Sequence, residues 1–329
     1  MKVLQINPYP PDSLGGSEIF CRNLAINLSR RKGISSDILT SDIFKKNIKQ
    51  NKFKALIKIF YKRFYVNLWG VNPLVNIIPF LNHSYKNYDL IHAHSYIFLT
   101  SFQAALYRRL KKFPFILHLH GGIETPVHMG HNLWEKMQLI FKDYVYDKII
   151  GQIIFNSADK IISVSKMDLK RIQRLYKVPR KKCIYIPNGV NTQKFRNKSN
   201  LQKKYITFIG RLSYIKGFDR FLKLAEKIYE KDKNIEFLII GDGPLNKLLK
   251  NSTKNIPITH FPSYPYSMIE DIYNMSKCLV ITSRFEGLPT TVLESLSCET
   301  PVITFDVGSI SELVKPNING FYIDIHKNN

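Results

Sequence analysis

Two glutamates in the C-terminal half of the chain, Glu286 and Glu294, are spaced so that both could contact one ligand. They flank the segment Gly287–Thr290, which reads Gly-Leu-Pro-Thr. Proline is tolerated in the first turn of a helix, so we expect Glu286 in a loop and Glu294 inside the following helix. The free N–H groups at a helix start attract anions such as phosphate. A ligand with hydroxyl groups at both ends and a phosphorylated centre, the shape of a nucleotide-sugar, would fit these features.

A second group of candidate residues follows two predicted strands upstream. Arg211 and Lys216 come shortly after the apolar segment Tyr205–Ile209, with glycines at either end of their turn. Arginine can bind a diphosphate with two parallel hydrogen bonds, and lysine can bind it as a point charge. The turn Gly241-Asp242-Gly243 follows the next apolar segment, Phe237–Ile240. Because parallel strands end at one sheet edge, we expect these turns and Glu286 to lie around one site.

The elements that must position these residues alternate between short apolar runs and helical patterns. Such alternation predicts an α/β fold with parallel sheets and helices on both faces. The polar and basic segment 191–204 reads as a linker, so we predict an N-terminal domain over 1–195 and a C-terminal domain over 196–329. A ligand cleft is expected between them. The remaining predicted strands are Lys2–Asn7, Leu90–Ala93, Phe115–Leu119, Lys160–Val164, Leu279–Thr282 and Val302–Phe305.

With these motifs the sequence resembles the family 4 glycosyltransferases over essentially its whole length. The resemblance implies the GT-B fold, in which two Rossmann-like domains face each other, and metal-independent transfer that retains the anomeric configuration. The matching motifs are the Gly15-Gly16 loop, His-Ala-His at 92–94, His-Leu-His-Gly-Gly at 118–122, Ala-Asp-Lys-Ile-Ile-Ser-Val-Ser at 158–165, Pro-Asn-Gly at 187–189, the Arg211/Lys216 turn, Gly-Asp-Gly-Pro at 241–244, the Glu286/Glu294 pair, Gly-Ser-Ile-Ser-Glu at 308–312 and Asn-Gly at 319–320.

The resemblance also implies a role for each candidate residue. Arg211 and Lys216 would hold the donor diphosphate, Glu286 the sugar hydroxyls and Glu294 the ribose, and His120 would lie beside the transferred sugar. We therefore predict His120 and Glu286 as catalytic residues. The predicted donor-binding residues are Gly15, Gly16, Arg211, Lys216, Gly241, Asp242, Gly243, Gly287, Leu288, Pro289, Thr290 and Glu294. The donor would be a UDP- or GDP-linked sugar, with no other cofactor, and the acceptor a lipid-linked compound or a saccharide.

The resemblance implies a hexosyltransferase of cell-surface glycan or glycolipid synthesis, but other functions stay open. Family members usually continue with a further helix after the strand near 320–324, whereas this chain ends at Asn329. A C-terminally short second domain could make the protein an inactive donor-binding protein. A nucleotide-sugar epimerase on the same fold is a second alternative. A phosphorylase would need a lysine bound to pyridoxal phosphate, and no motif for it is present.

The composition of the chain excludes several other classes of protein. The hydrophobic fraction of 44% excludes a disordered chain. The four cysteines fit neither a zinc motif nor a disulfide framework, and no apolar run of about 18 residues is present, so we expect a cytoplasmic protein. Six histidines lie between His92 and His131, but without neighbouring cysteines or paired carboxylates we predict no metal.

The net charge is +24. Although such a charge attracts nucleic acid or anionic membranes, no nucleic-acid motif is present, and we expect no nucleic-acid partner.

The basic segment 45–68 carries the prediction of membrane contact. Its apolar residues recur at helical spacing beside a lysine face, which predicts a helix over Phe53–Leu68. Such a helix could place the protein on the inner face of the membrane. The alternative is an ordinary amphipathic helix packed on the N-terminal sheet. The apolar stripe consists of Phe53, Leu56, Ile57, Phe60, Phe64 and Leu68, and the lysines are Lys54, Lys58 and Lys62.

Overall fold

The chain folds into two compact units, each built around its own parallel sheet. The computed structural model of the protein describes residues 1–11, 16–43, 56–68, 72–121, 123, 133–252 and 256–323. Of these, residues up to 123 and 137–187 belong to the first unit, and residues 133–136 and 188–323 belong to the second.

The first unit contains nine strands and six α-helices within the described residues. The strands are β1 (Lys2–Ile6), β2 (Ser35–Ser41), β3 (Ile59–Lys62), β4 (Phe64–Leu68), β5 (Asn72–Val75), β6 (Leu90–His94), β7 (Phe115–Leu119), β8 (Lys160–Ser163) and β9 (Cys183–Tyr185). The helices are α1 (Gly16–Ser29), α2 (Ile78–Ser84), α3 (Leu99–Lys111), α4 (Leu133–Phe141, of which residues 133–136 belong to the second unit), α5 (Gln152–Ser157) and α6 (Lys166–Tyr176), with a π-helical segment over Lys142–Gly151 between α4 and α5.

Seven of these strands form a parallel sheet in the order β3-β2-β1-β6-β7-β8-β9 within the described part of the chain. Four of the five residues in each of the central strands β1, β6 and β7 are buried, as expected for apolar segments covered by helices on both faces. Strand order reverses between β1 and β6, because the chain leaves β1 towards β2 and returns on its other side. Loops at such a reversal commonly line a ligand site in α/β sheets.

The helix predicted over Phe53–Leu68 is wrong for the part that the structure describes. Residues 59–62 form β3, which pairs in parallel with β2 at the sheet edge, and residues 64–68 form β4, which pairs antiparallel with β5. Aromatic and β-branched residues dominate this segment, and both types favour strands. The basic stretch from Lys45 to Lys54 lies outside the described residues.

The second unit contains a parallel sheet in the order β12-β11-β10-β13-β14-β15. Its strands are β10 (Tyr205–Ile209), β11 (Glu236–Ile240), β12 (Ile258–Phe261), β13 (Ser276–Ile281), β14 (Val302–Phe305) and β15 (Gly320–Ile323). Its helices are α7 (Phe218–Lys231), α8 (Asn246–Ser252), α9 (Ile269–Asn274) and α10 (Thr290–Ser297). Strand order reverses between β10 and β13, which places the loops that follow these two strands on either side of the reversal.

The α/β architecture with two parallel sheets confirms the predicted fold class. Among the described residues, no helix combines the length and the apolarity needed to cross a membrane.

Candidate functional site

The loop between β10 and α7 is fixed tightly against the end of β13. Gly217 caps α7 with a φ of +65°, in the left-handed region that favours glycine. A Cβ atom at this position would lie 1.8 Å from the Thr282 carbonyl oxygen, so no larger residue fits without moving the backbone. The Thr282 hydroxyl donates to the Gly217 carbonyl at 2.8 Å. The two loops at the strand-order reversal therefore form one connected structure.

Arg284 strengthens this connection from the β13 side. Its guanidinium binds both carboxylate oxygens of Asp219 at 2.7 Å and also donates to the Tyr214 carbonyl at 2.7 Å. The Arg284 backbone N–H donates to the Ile215 carbonyl at 2.8 Å. A bidentate pair of this kind fixes orientation as well as distance. The loop that carries Arg211 and Lys216 is thereby held in place before any ligand binds.

Lys216 and Glu286 form a direct ion pair. The Lys216 ammonium lies 2.8 Å from each carboxylate oxygen of Glu286, and the Ser283 hydroxyl donates to the same carboxylate at 2.6 Å. The Glu286 side chain is 8% exposed, whereas that of Lys216 is 37% exposed. The carboxylate is therefore oriented from within the protein, and the lysine remains open to a ligand.

Arg211 differs from Lys216 in having no fixed side-chain partner among the described residues. Its side chain is exposed and makes no hydrogen bond or ion pair with any residue that the structure describes. The turn at 241–243 lies beside it in the chain fold, because Leu212 donates its N–H to the Asp242 carbonyl at 3.0 Å. A Cβ atom on Gly243 would lie 2.5 Å from the Leu212 carbonyl oxygen. The glycine thus permits the close approach of the two turns, while the Asp242 carboxylate accepts from the N–H of Gly243.

Glu294 lies inside α10 and is held by two tyrosines. Its carboxylate accepts hydrogen bonds from Tyr266 at 2.8 Å and from Tyr273 at 2.6 Å. Burial raises the pKa of Glu294, whereas the two tyrosine hydroxyls lower it. Each carboxylate oxygen can accept a second hydrogen bond, so this fixed acceptor retains capacity for a ligand hydroxyl.

The start of α10 lies next to the loop that follows β14. Pro289 is the N-cap of α10, so the helix begins one residue later, at Thr290. The Ser309 N–H donates to the Gly287 carbonyl at 3.0 Å, and Gly308 adopts a φ of +63° where a Cβ atom would lie 2.1 Å from the Glu286 carbonyl oxygen. The segment from Glu286 to the helix start is thus supported from behind by a second loop.

In the first unit, the predicted catalytic His120 belongs to a stack of four histidines. His92 and His94 lie on β6, His118 lies on β7, and His120 follows it. His94 is directly opposite His118 in the strand register, and alternate residues of a strand share one face. Neighbouring rings lie 4.6–5.7 Å apart in nearly parallel planes. Burial lowers the pKa of His92 to about 4 and that of His120 to about 3, so these rings are neutral near pH 7.

Hydrogen bonds within the stack determine which nitrogen of each ring carries the proton. The Gln5 amide nitrogen donates to the Ser36 hydroxyl at 3.3 Å, so its carbonyl oxygen faces His94 Nε2 at 2.8 Å and accepts its proton. His94 Nδ1 is then a bare acceptor, 2.9 Å from His120 Nε2. His120 must therefore be protonated at Nε2 and unprotonated at Nδ1.

Three of these histidines could also be considered as metal ligands. His92, His94 and His118 offer ring nitrogens that all lie within 4.8 Å of one another. However, both nitrogens of His94 already have hydrogen-bond partners, and near-parallel rings direct their lone pairs side by side rather than towards one point. The donor set therefore does not fit a zinc-like tetrahedral site.

Known protein families match the sequence of both parts of the chain. The family description "Glycosyltransferase Family 4" matches residues 14–194, and "Glycosyl transferases group 1" matches residues 190–329. The chain belongs to glycosyltransferase family 4. It is an enzyme that transfers a sugar from a nucleotide-sugar donor.

Individual relatives support this assignment. An uncharacterized glycosyltransferase of Methanocaldococcus jannaschii is 29% identical over 100% of this chain and 85% of its own length. The UDP-Gal:alpha-D-GlcNAc-diphosphoundecaprenol alpha-1,3-galactosyltransferase of Escherichia coli is 28% identical over 73% of this chain and 64% of its own length. The Anabaena protein HepE, solved in complex with UDP-glucose, has a TM-score of 0.72 at 16% identity, over 98% of this chain and 85% of its own. The structural likeness confirms the GT-B fold.

Within the second unit of this glycosyltransferase, the structure brings most predicted site residues together. Lys216 and Glu286 touch, and the Arg211 and Asp242 turns are in backbone contact. In the first unit, Gly16 begins α1 with space for a Cβ atom, and Gly15 lies outside the described residues.

Sequence reasoning missed the residues that orient the glycosyltransferase site. Ser283 and Arg284 adjoin Glu286 and could have been found from that position. Gln5 is a buried polar residue in an otherwise apolar strand, and its position could have indicated that its side chain makes hydrogen bonds inside the protein. Tyr266 and Tyr273 could not be found, because only the fold brings them to Glu294.

Proposed function

We propose that this enzyme transfers a hexose from a UDP- or GDP-sugar to a lipid-linked or saccharide acceptor, with retention of the anomeric configuration, in the synthesis of a cell-surface glycan. The observation that carries the proposal is the Lys216–Glu286 pair at the strand-order reversal of the second unit. It combines a cation open to a diphosphate with a carboxylate already oriented for sugar hydroxyls.

The diphosphate would be bound by Arg211 and Lys216. Lys216 has three N–H donors, so it can keep its contact with Glu286 while donating to a phosphate oxygen. Arg211 has no competing partner among the described residues, so its guanidinium is free to bind two phosphate oxygens. The N–H groups at the start of α10 would add further donors.

Charge on the leaving group determines how these residues would assist the reaction. Breaking the glycosidic bond leaves negative charge on the nucleoside diphosphate and an oxocarbenium-like sugar. Fixed cations stabilise the former without reorganisation, and a fixed carboxylate at Glu286 would position the hydroxyls of the latter. Attack on the face that the diphosphate leaves, with a phosphate oxygen taking the acceptor proton, would give retention. His120 would lie beside the sugar, and Glu294 would contact the ribose.

A metal ion is not required by this proposal, since Arg211, Lys216 and the helix start would supply the positive field. Activity should be the same in EDTA as in its absence. Loss of activity in EDTA and recovery with Mn²⁺ would contradict this part.

The acceptor is proposed from the relatives. The Escherichia coli relative is named for a diphosphoundecaprenol acceptor, and a Staphylococcus aureus relative is named for poly(ribitol-phosphate). A lipid-linked acceptor would require the enzyme to work at a membrane surface, on its cytoplasmic side. The net charge of +24 favours such contact with anionic lipid.

A panel of UDP- and GDP-sugars tests the donor part. Thermal shift would identify the bound donor, and calorimetry would compare wild type with Arg211→Ala. We expect Arg211→Ala to weaken nucleotide binding by about 2–3 kcal/mol, the scale of lost charge-assisted hydrogen bonds. Unchanged affinity would show that Arg211 does not bind the diphosphate. Conversion of the free nucleotide-sugar without acceptor would instead indicate an epimerase, and binding without turnover would indicate an inactive protein.

A further inference from the structure

The segment between β9 and β10 brings a lysine close to Glu294. Its polar and basic part, residues 191–204, reads as a linker in the sequence, and we call it the linker segment. Phe195 in this segment is only 2% exposed, and its carbonyl accepts a hydrogen bond from the Ser297 hydroxyl of α10 at 2.5 Å. Lys194 precedes Phe195 and is therefore held within the second unit, next to the helix that contains Glu294.

Lys194 acts on Glu294 through the side chain of Tyr266. Its ammonium lies 3.8 Å from the centre of the Tyr266 ring and also donates to the Tyr266 carbonyl. The Tyr266 hydroxyl in turn donates to the Glu294 carboxylate at 2.8 Å. A cation on the face of an aromatic ring is attracted to the ring, and its positive field makes the phenol O–H a stronger donor. The ring therefore couples the charge of Lys194 to the carboxylate.

Glu294 needs this support because it is buried without a direct cationic partner. It is 6% exposed, and no lysine or arginine in the described part of the chain lies within ion-pair distance of its carboxylate. Burial raises the pKa of Glu294, whereas the hydrogen bonds from Tyr273 and Tyr266 and the charge of Lys194 lower it. An ionised carboxylate is a stronger acceptor for hydroxyl groups than a protonated one. A residue that favours the ionised form therefore also favours binding of a ligand hydroxyl.

We propose that Lys194 is a positioning residue of the donor site, which holds Tyr266 and Glu294 in the state that accepts ribose hydroxyls. Tyrosines orient both carboxylate oxygens, at 2.8 Å from Tyr266 and 2.6 Å from Tyr273, and each oxygen can accept one more hydrogen bond. A ribose offers two adjacent hydroxyls, whereas a deoxyribose offers one. The inference deepens the proposed function and rests on it for the contact between Glu294 and ribose.

Other ionisable groups surround the Glu294 carboxylate. Burial raises the pKa of Tyr273 on α9 and that of Cys298 after α10, so both are uncharged near pH 7. Of the charges nearby, that of Lys194 is the one that lowers the pKa of Glu294. The charged groups are two carboxylates of α9, Glu270 and Asp271, and two lysines of the linker segment, Lys194 and Lys198.

Lys198 is the matched control for Lys194, because both lysines lie close to Glu270. The Glu270 carboxylate is 3.8 Å from the Lys194 ammonium and 3.7 Å from that of Lys198. Lys198 is further paired with Asp271 at 2.5 Å, whereas Lys194 lies on the Tyr266 ring. Replacing either lysine with methionine removes one positive charge from the same group of side chains. Only the replacement of Lys194 removes the charge that acts through Tyr266.

Titration of Glu294 in the ligand-free protein tests this coupling directly. Carboxyl signals in ¹³C NMR spectra would report its pKa in wild type, Lys194→Met, Lys194→Arg and Lys198→Met. We expect Lys194→Met to raise the pKa of Glu294, because the carboxylate loses the positive charge that favours its ionised form. Lys194→Arg should restore the wild-type value, and Lys198→Met should leave it unchanged. The same pKa in Lys194→Met and wild type would overturn the proposal.

Nucleotide affinity tests the consequence for ribose. Calorimetry would compare UDP with 2′,3′-dideoxy-UDP, or the two guanosine nucleotides if wild type binds GDP. Both nucleotides of a pair carry the same phosphates, so the ratio of their affinities cancels the titration of the phosphates. We expect wild type to prefer the ribonucleotide by at least about tenfold, the scale of hydrogen bonds to a charged acceptor. This preference should fall as pH drops through the pKa of Glu294, and in Lys194→Met the fall should begin at higher pH.

The results also separate this inference from the proposed function. A pH dependence of the preference that is the same in Lys194→Met and Lys198→Met would overturn the role of Lys194 and leave the donor site in place. Equal affinity of wild type for both nucleotides would show that Glu294 does not bind ribose, and would overturn the proposal although nucleotide binding stood. If wild type bound neither nucleotide, the proposed function would fail and the ribose part of the inference with it, even if the NMR titration showed the expected rise.

Discussion

Replacing Lys216 with methionine tests whether the Lys216–Glu286 pair stabilises the second unit in the absence of donor. The change keeps most of the apolar stem and removes the ammonium that lies 2.8 Å from both Glu286 oxygens. The carboxylate, 8% exposed, would keep the Ser283 hydroxyl as its remaining side-chain partner among the described residues. Breaking a fully buried pair costs about 3–5 kcal/mol, and breaking an exposed pair less than about 1 kcal/mol. Because Lys216 is 37% exposed, we expect a loss of about 2 kcal/mol.

A double-mutant cycle measured by urea denaturation isolates the pair. Lys216→Met, Glu286→Gln and the double variant should show a coupling energy of about 1–2 kcal/mol. Arg211→Met is the matched control, because this cation is exposed and has no ion-pair partner among the described residues; its stability should stay within about 0.5 kcal/mol of wild type. Additive single-variant effects, or equal losses for Lys216→Met and Arg211→Met, would refute the reasoning.

Three other predictions concern the roles of the carboxylates and of the histidine stack. Glu286→Gln should lower kcat more than it changes donor affinity, whereas Glu294→Gln should mainly raise KM for the donor; steady-state kinetics with the opposite pattern would contradict both roles. Burial lowers the pKa of His118 well below 6.5, so the unfolded chain binds more protons and the free energy of unfolding falls as pH drops below 6.5. His118→Phe should reduce this slope by up to about 1.4 kcal/mol per pH unit in denaturation series, and an unchanged slope would show that the ring is not excluded from protonation. Gln5→Leu should give His120 a mixture of tautomers in ¹⁵N NMR spectra while Gln5→Glu keeps the proton on Nε2; a single unchanged tautomer in the leucine variant would contradict the chain of hydrogen bonds from Gln5 through His94 to His120.

The sheet cores were predictable because buried parallel strands are continuous apolar runs. β7, β10 and β14 begin and end at the predicted residues. The helix predicted for the segment 53–68 was wrong because apolar residues at mixed spacing fit a helix and a pair of short strands equally well. Pairing of β3 with β2 decided the outcome, and a periodic pattern contains no information about that partner.

Local sequence rules predicted the chemistry of the site, but they did not predict its geometry. Pro289 located the start of α10 to within one residue, so the loop position of Glu286 and the helical position of Glu294 followed. The contact of Glu286 with Lys216 spans 70 residues of sequence. It exists because β10 and β13 are neighbours in the sheet, which is a property of the fold.

The sequence by itself determined the family, the α/β class and the residue types that could bind a nucleotide-sugar, because local spacing and turn chemistry depend on neighbouring residues. Only the tertiary structure decided which of these residues meet and which faces are buried. Helical periodicity shows that Phe141 and Tyr144 share a side with other apolar residues, and it favours burying that side. The buried pair of Lys142 and Asp147 decides otherwise, because two charges that satisfy each other inside the protein turn the apolar side to the outside.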